Sequence, residues 1–296
     1  MTLSGYLFAK LLDGKRILYP AFIWNRFLRL TPLLLVVLLF VGIQRVLFGN
    51  TAILDYAKVL VLGFIKPAWP NGGWSITVEF HFYLILPILL FLTKQWKYAL
   101  LGVILVALIT RIFLYQKLGQ IQMFSYWTIV GRIDQFVLGI LAFQFRQYIA
   151  GRHFLIIGAF LIFSLFYWYF DSQGGFYRTS SYPSPSPIWI YLPTVEGLFY
   201  SLSIAWYDNS FHHTRGKLSN FIAQIGTYSY SIYLTHFFIV FKLANAIDHY
   251  MIDLSNINMA ILFSLLSFFI MVPIGYLSYR FIELPFLKFR TRYIVS

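Results

Sequence analysis

Apolar residues run along this chain in long continuous blocks separated by short polar seams. A helix needs about 17–25 such residues to cross the hydrocarbon core of a bilayer. Blocks of that length lie at 30–48, 75–93, 98–116, 127–145, 154–170, 188–207, 222–243 and 257–281. They are continuous, not alternating, so they predict helices and exclude a membrane β-barrel. The segment 53–66 is shorter and carries Asp55 and Lys58, which predicts a re-entrant or interfacial piece. TLSGYLFAKLL (2–12) is apolar but about half a span long, and reads as the second half of a helix. It has neither a basic n-region nor a small-residue cleavage site, so it is not a signal peptide. The pattern predicts an all-α, polytopic membrane helical bundle of about eight full spans plus an N-terminal half-helix, forming one integral membrane domain over residues 1–296.

Composition agrees: 59% of the 296 residues are hydrophobic and 11% charged, where soluble domains carry about 25% charged residues. The 23 Lys and Arg against 10 Asp and Glu give a net charge of +13. In a membrane chain such an excess collects in cytoplasmic loops beside anionic headgroups, and no recognition motif accompanies it, so nucleic acid is not an expected partner. With the 10–29 loop in the cytoplasm, every second loop is basic: Lys10, Lys15, Arg16, Arg26 and Arg29, then Lys94 and Lys97, Arg146 and Arg152, Arg215 and Lys217, and Lys288, Arg290 and Arg292. The one long aqueous loop, 171–187, then falls outside and the C-terminus inside. Cysteine is absent, and no zinc motif, Gly-rich phosphate loop or G-x-S-x-G elbow occurs, so no metal site, nucleotide hydrolysis or soluble-type serine hydrolase is expected.

Charge inside a membrane costs at least about 2.5–3.5 kcal/mol per residue on insertion scales, which makes each such residue a functional candidate. Five places qualify: Glu79 with His81, Arg111, Arg132 with Asp134, Glu196, and His236. In WSITVEFHFYLILP, Glu79 and Tyr83 lie one turn apart, with Trp74 and Ser75 at interface depth; this suits a carboxylate at a cavity mouth, or simply a carboxylate at the aqueous interface. Arg132 and Asp134 either neutralise each other or, being about 200° apart around a helix, each require a partner elsewhere. His236 follows a hydroxyl-rich run in GTYSYSIYLTH, which reads either as a packing seam or as the setting of a general base. Arg26 and Arg29 in NRFLRLTP sit one turn apart, as topology anchors or as a bidentate grip on phosphate.

Taken together, TLSGYLFAKLL (2–12), NRFLRLTP (25–32), WSITVEFHFYLILP (74–87), GRIDQFVLGILA (131–142), GTYSYSIYLTH (226–236) and YRFIELPF (279–286) resemble, in order, the motifs of acyltransferase family 3. The resemblance implies a membrane O-acyltransferase that moves an acyl group, often acetyl, from acyl-CoA to a hydroxyl of a sugar or related acceptor. It also implies that the chain begins within the family's second helix, lacking the first, which ordinarily carries a catalytic His.

On that resemblance Arg26 and Arg29 hold the donor from the cytoplasm, Trp74, Ser75, Glu79 and Tyr83 shape the acceptor or acyl pocket, and Arg132 and Asp134 supply charge to the cavity. Glu79, His236 and Asp134 are the expected catalytic residues. Acyl-CoA, acetyl-CoA foremost, is expected as donor substrate, with no tightly bound cofactor. The expected partners are membrane lipids and a carbohydrate or lipid-linked sugar, in a bacterial cytoplasmic membrane. A transporter or flippase-like protein is a competing class, because buried charges also line substrate pathways. A truncated acyltransferase that folds without catalysing is another.

Overall fold

Lipid offers no partner to a backbone N–H or C=O, so a chain of this composition folds into helices that satisfy their own backbone. The computed structural model describes residues 1–296 except 50, 96, 97, 177–181, 213, 215, 255 and 296, and not the side chains of 94, 95 and 257. Lys97, Arg215 and the middle of the predicted aqueous loop therefore lie outside the described residues, as does the Lys94 side chain. The helices are α1 (Thr2–Leu11), α2 (Tyr19–Phe48), α3 (Ile53–Leu62), α4 (Trp74–Gln95), α5 (Ala99–Leu118), α6 (Gln122–Trp127), α7 (Ile129–Gln144), α8 (Arg146–Ile149), α9 (His153–Ser172), α10 (Ile188–Ser210), α11 (Lys217–Thr227), α12 (Ser229–Tyr250), α13 (Ile257–Ser278) and α14 (Leu284–Leu287). A π-helical turn, Tyr279–Glu283, joins the last two. Two-residue strands at Arg16–Ile17 and Ile294–Val295 are the sheet content of the described residues.

Among the described residues, seven helices are long and apolar enough to span, against the eight blocks expected. The difference lies at 127–145. Thr128 leaves the helical region (φ −118°, ψ 157°) and its Oγ1 accepts the Gly131 N–H at 3.1 Å, capping a separate helix, α7, of only 16 residues. Two other boundaries move. The helix predicted from residue 30 starts at Tyr19, where Pro20 pre-sets the first turn, so Arg26 and Arg29 stand on α2 and not in a loop. The 222–243 block breaks at Tyr228, giving the amphipathic α11 and the span α12. The π turn has a local cause: Pro285 has no N–H for the preceding turn, and the widened ladder carries Glu283 inward, 2% exposed, while Phe281 is 71% exposed.

The chain divides into two interleaved compact units. Met1–Arg16 and Thr77–His213 make unit 1; Ile17–Ile76 and Thr214–Val295 make unit 2. In unit 1, α7 is the most enclosed helix and α1 lies directly on it. A Cβ on Gly5 would run into the Phe136 carbonyl, and one on Gly139 into the Thr2 carbonyl, so the two backbones touch where side chains are missing. Phe82 of α4 stacks on Phe136 with centroids 3.9 Å apart, and Phe8 packs on Phe82 and Tyr83. A second apolar cluster gathers Ile121, Phe170, Trp189 and Leu192. In unit 2, Tyr56 of α3 lies over Gly42 of α2 and donates to the Leu38 carbonyl (2.6 Å), and Trp69 Nε1 donates to the Leu60 carbonyl (3.1 Å). The outward faces of the spans are apolar, with Phe154 90% and Trp168 72% exposed, as lipid-facing residues are.

Because Gly139 meets backbone, which cannot rotate away, Gly139→Leu should destabilise unit 1 by about 1–3 kcal/mol or more. Gly158 of α9 has open space around it, so Gly158→Leu is the matched control. Thermal unfolding in detergent should fall for the first and not for the second; equal midpoints would show that α1 does not dock on α7 as described.

Candidate active site

In unit 1 the polar centre is built on α7. Arg132 and Asp134 do not pair with each other, as their spacing on the helix requires. Asp134 Oδ2 accepts from Arg111 Nη2 of α5 at 2.6 Å and from Thr194 Oγ1 of α10, while its Oδ1 takes the Gln135 N–H (3.0 Å). Arg111 and Asp134 are both 0% exposed, and Arg111 Nη1 also donates to the Gly131 carbonyl (3.0 Å). Arg132 faces Glu196 of α10 (3.4 Å), donates to Gln135 Oε1 (3.0 Å) and the Tyr126 carbonyl (2.6 Å), and lies 3.6 Å over the Tyr126 ring. Glu196 in turn accepts from Gln135 Nε2 (3.0 Å) and Tyr167 OH (2.9 Å).

Glu79 belongs to the same unit and is half-buried. Its two oxygens accept from hydroxyls, Ser4 Oγ of α1 at 3.4 Å and Tyr83 OH one turn further along α4 at 3.1 Å. A carboxylate held by hydroxyls can exchange them for the hydroxyl of another molecule more readily than one locked to a guanidinium. Asp134 is the contrast. It is enclosed, its oxygens are occupied, and the arrangement joins α5, α7 and α10 instead of presenting a carboxylate outward.

Unit 2 brings together three of the six motifs and the Trp74–Ile76 start of a fourth. Asn71 (φ 53°) and Gly72 (φ 76°) turn the chain into Trp74 and Ser75. The Gly72 carbonyl accepts from both Ser75 Oγ (3.0 Å) and Tyr233 OH of α12 (2.9 Å), and a Cβ at Gly72 would strike that tyrosine oxygen. His236 lies one turn beyond Tyr233, with Nδ1 2.6 Å from the Tyr233 carbonyl. A carbonyl only accepts, so Nδ1 carries the hydrogen and Nε2 of the neutral ring is the basic nitrogen. Tyr230 OH donates to the Leu30 carbonyl of α2 (2.6 Å), and Ser231 donates to Glu283. The Arg26/Arg29 helix, the Trp74–Ser75 turn, the hydroxyl-rich helix and the glutamate–proline turn are thus joined side chain to backbone or to one another.

The chain after α14 returns to α2. Asn25, 5% exposed, grips Thr291 twice: Nδ2 donates to its carbonyl (2.6 Å) and Oδ1 accepts its N–H (2.9 Å). Leu18 N–H donates to the Tyr293 carbonyl (2.8 Å), and Arg26 Nη2 donates to Tyr293 OH (3.3 Å). Arg26, Arg29 and Arg290 lie within electrostatic reach of one another: partial burial first, then Arg29 and Arg26, hold the Arg290 guanidinium below its ordinary pKa.

With this geometry in view, one comparison decides the family. The family model described as an acyltransferase domain, Acyl_transf_3, matches residues 1–280. The chain belongs to that family. Comparison with curated proteins and with solved structures finds no match. Of the residues singled out in the sequence, Glu79, Tyr83, Arg132 and Asp134 stand in unit 1, and Arg26, Arg29, Trp74, Ser75 and His236 in unit 2. Sequence reasoning had no signal for Tyr167, Thr194 or Asn25, which are ordinary residues until their partners are known. Arg290 carried a signal, a basic residue after the last span, that pointed only to topology.

Removing one member of a fully buried ion pair strands the other, at a cost of about 3–5 kcal/mol. Arg111→Leu should therefore unfold the acyltransferase at a lower temperature in nanodiscs than the double variant Arg111→Leu with Asp134→Leu. A double variant no more stable than the single one would show that the pair does not carry α7 as described.

Proposed function

We propose that this acyltransferase moves an acyl group, acetyl foremost, from acyl-CoA to a hydroxyl of a carbohydrate or lipid-linked sugar at a bacterial cytoplasmic membrane, with its C-terminus in the cytoplasm. The observation that supports the reading is which groups the charged side chains bond. Arg111 and Arg132 each face a carboxylate, whereas Glu79 is held by hydroxyls and Arg26 and Arg29 share a face of α2. Guanidiniums one turn apart suit the phosphates of CoA, and a half-buried carboxylate with exchangeable hydroxyl partners suits an acceptor alcohol.

Acyl transfer removes the acceptor proton, forms the new C–O bond at the thioester carbonyl through a tetrahedral oxyanion, and expels CoA thiolate, which takes up a proton. We assign the base to His236 Nε2, oriented by the Tyr233 carbonyl, and acceptor orientation to Glu79 with Tyr83. Trp74 and Ser75 shape the pocket, Arg26 and Arg29 hold the donor, and Arg132 and Asp134 stay with their ion partners as the charged frame of unit 1. No bound cofactor enters the reaction.

Purified protein in nanodiscs should release free CoA from acetyl-CoA only when an acceptor sugar is present. A transporter would instead move substrate in proteoliposomes without CoA. Glu79→Gln should abolish transfer while insertion and folding persist; retained turnover would reduce Glu79 to an interfacial residue.

Arg26→Lys and Arg29→Lys keep the charge but lose the planar fork. Each should weaken acyl-CoA binding by about 1–3 kcal/mol at unchanged insertion level. Parental affinity in both variants would leave the two arginines as topology anchors and remove the donor assignment.

A further inference from the structure

We infer that α11 lies flat in the cytoplasmic surface of the membrane, with its apolar stripe sunk among lipid chains and its basic start among anionic headgroups. The partner is the bilayer surface itself, and the inference does not depend on the acyl-transfer reading.

The eleven residues of α11, KLSNFIAQIGT, rise about 16 Å, roughly half of what a span needs. At about 100° per residue, Leu218, Phe221, Ile222 and Ile225 fall within one arc of about 100°, and Lys217, Asn220, Gln224 and Thr227 lie outside it. A helix that packs on its own protein covers such a stripe. Here none of the eleven residues is buried: Leu218 is 71%, Ile222 60% and Phe221 47% exposed, and Ile225 is half-buried. The fixed point is the end of the helix. The backbone leaves the helical region at Tyr228 (φ −109°, ψ 16°), and that side chain, itself buried, packs edge-on against Tyr276 of α13 with centroids 6.0 Å apart.

Two observations name lipid as what covers the stripe. The first is continuity: α12 starts at Ser229, one residue past the break, and turns apolar residues such as Phe241 outward, where lipid lies. The start of a span lies at the edge of the hydrocarbon, so the stripe attached to it is held at that edge. The second is charge. Arg215 and Lys217 stand at the start of the stripe, and no Asp or Glu occurs from residue 209 to 247. A basic segment without acidic residues complements an anionic headgroup layer, as in helices that lie in the interface plane. On the orientation read from the basic loops, that layer is the cytoplasmic one. A docked α11 also fixes the depth at which the run from Tyr230 to His236 enters the bilayer, because a single residue separates the two helices.

The chain has no native cysteine, so a nitroxide on a single introduced cysteine reports on the whole protein in nanodiscs without background. Labels on Leu218→Cys, Phe221→Cys, Ile222→Cys and Ile225→Cys should be reached by oxygen and shielded from a water-soluble nickel chelate, at a depth of about 5–10 Å. Labels on Ala223→Cys and Gln224→Cys should show several-fold higher nickel access. Replacing phosphatidylcholine by phosphatidylglycerol should sink the Phe221→Cys label deeper, and adding Arg215→Gln with Lys217→Gln should cancel that difference. Nickel access on all sides would leave α11 in water and overturn the inference. Shielding of the apolar positions from both reagents would put protein over the stripe and overturn it as well; in proteoliposomes, dipolar broadening that vanishes on dilution with unlabelled protein would identify that cover as a second copy. Equal depth in the two lipids would overturn the headgroup part and leave a stripe held by hydrocarbon alone.

Discussion

A charge in hydrocarbon must meet an opposite charge or a full set of hydrogen bonds, and in unit 1 that requirement is placed on one short helix. Arg132 and Asp134 leave α7 on opposite sides. Asp134 is satisfied by turning toward Arg111 of α5 and Thr194 of α10, which close on it, and Arg132 by turning toward Glu196 of α10. The rotation of α7 about its axis is fixed by these two demands together. Once it is fixed, Phe136 faces Phe82 of α4 and Gly139 faces the backbone of α1. Ser4 and Glu79 can then meet. The hydroxyl contact to the carboxylate is thus downstream of an ion pair that never touches it.

Unit 2 is organised by a different bond, the tyrosine hydroxyl to a backbone carbonyl of another helix or turn. Tyr230 reaches Leu30, Tyr233 reaches Gly72, and Tyr56 reaches Leu38. Each tyrosine buries an apolar ring in the helix interface and delivers its one polar atom to an acceptor that needs no side chain. The hydroxyl-rich run before His236 is thus a packing seam that also orients an imidazole. Tyr233 ties α12 to the turn that starts α4, and the carbonyl of the same residue orients the imidazole.

The spans were legible in the sequence wherever length and hydropathy alone set them, as in α5, α9 and α13. The misread boundaries have specific causes. Thr128 caps a new helix inside an unbroken apolar block, a local hydrogen bond that hydropathy does not register. Pro20 starts α2 within a basic stretch that reads as loop, because charge and helix formation are not exclusive at an interface. The separation of Arg132 from Asp134 was readable from spacing, but their partners, 64 and 23 residues away respectively, were not. The double clamp of Asn25 on Thr291 spans 266 residues and could be found only in three dimensions.

A charged side chain takes its meaning from its partner. Arg111 has a full carboxylate and a second bond to a backbone carbonyl, so its charge is already used and an incoming anion would have to displace Asp134 from a fully enclosed site. Glu283, by contrast, lies in the field of Arg29 and Arg290 and accepts the Ser231 hydroxyl. Glu79 differs from Asp134 in that its oxygens accept from the hydroxyls of Ser4 and Tyr83 and not from a guanidinium. The partner of each charged group, more than the presence of charge, therefore decides whether it fixes helix packing, as Asp134 does by joining α5, α7 and α10.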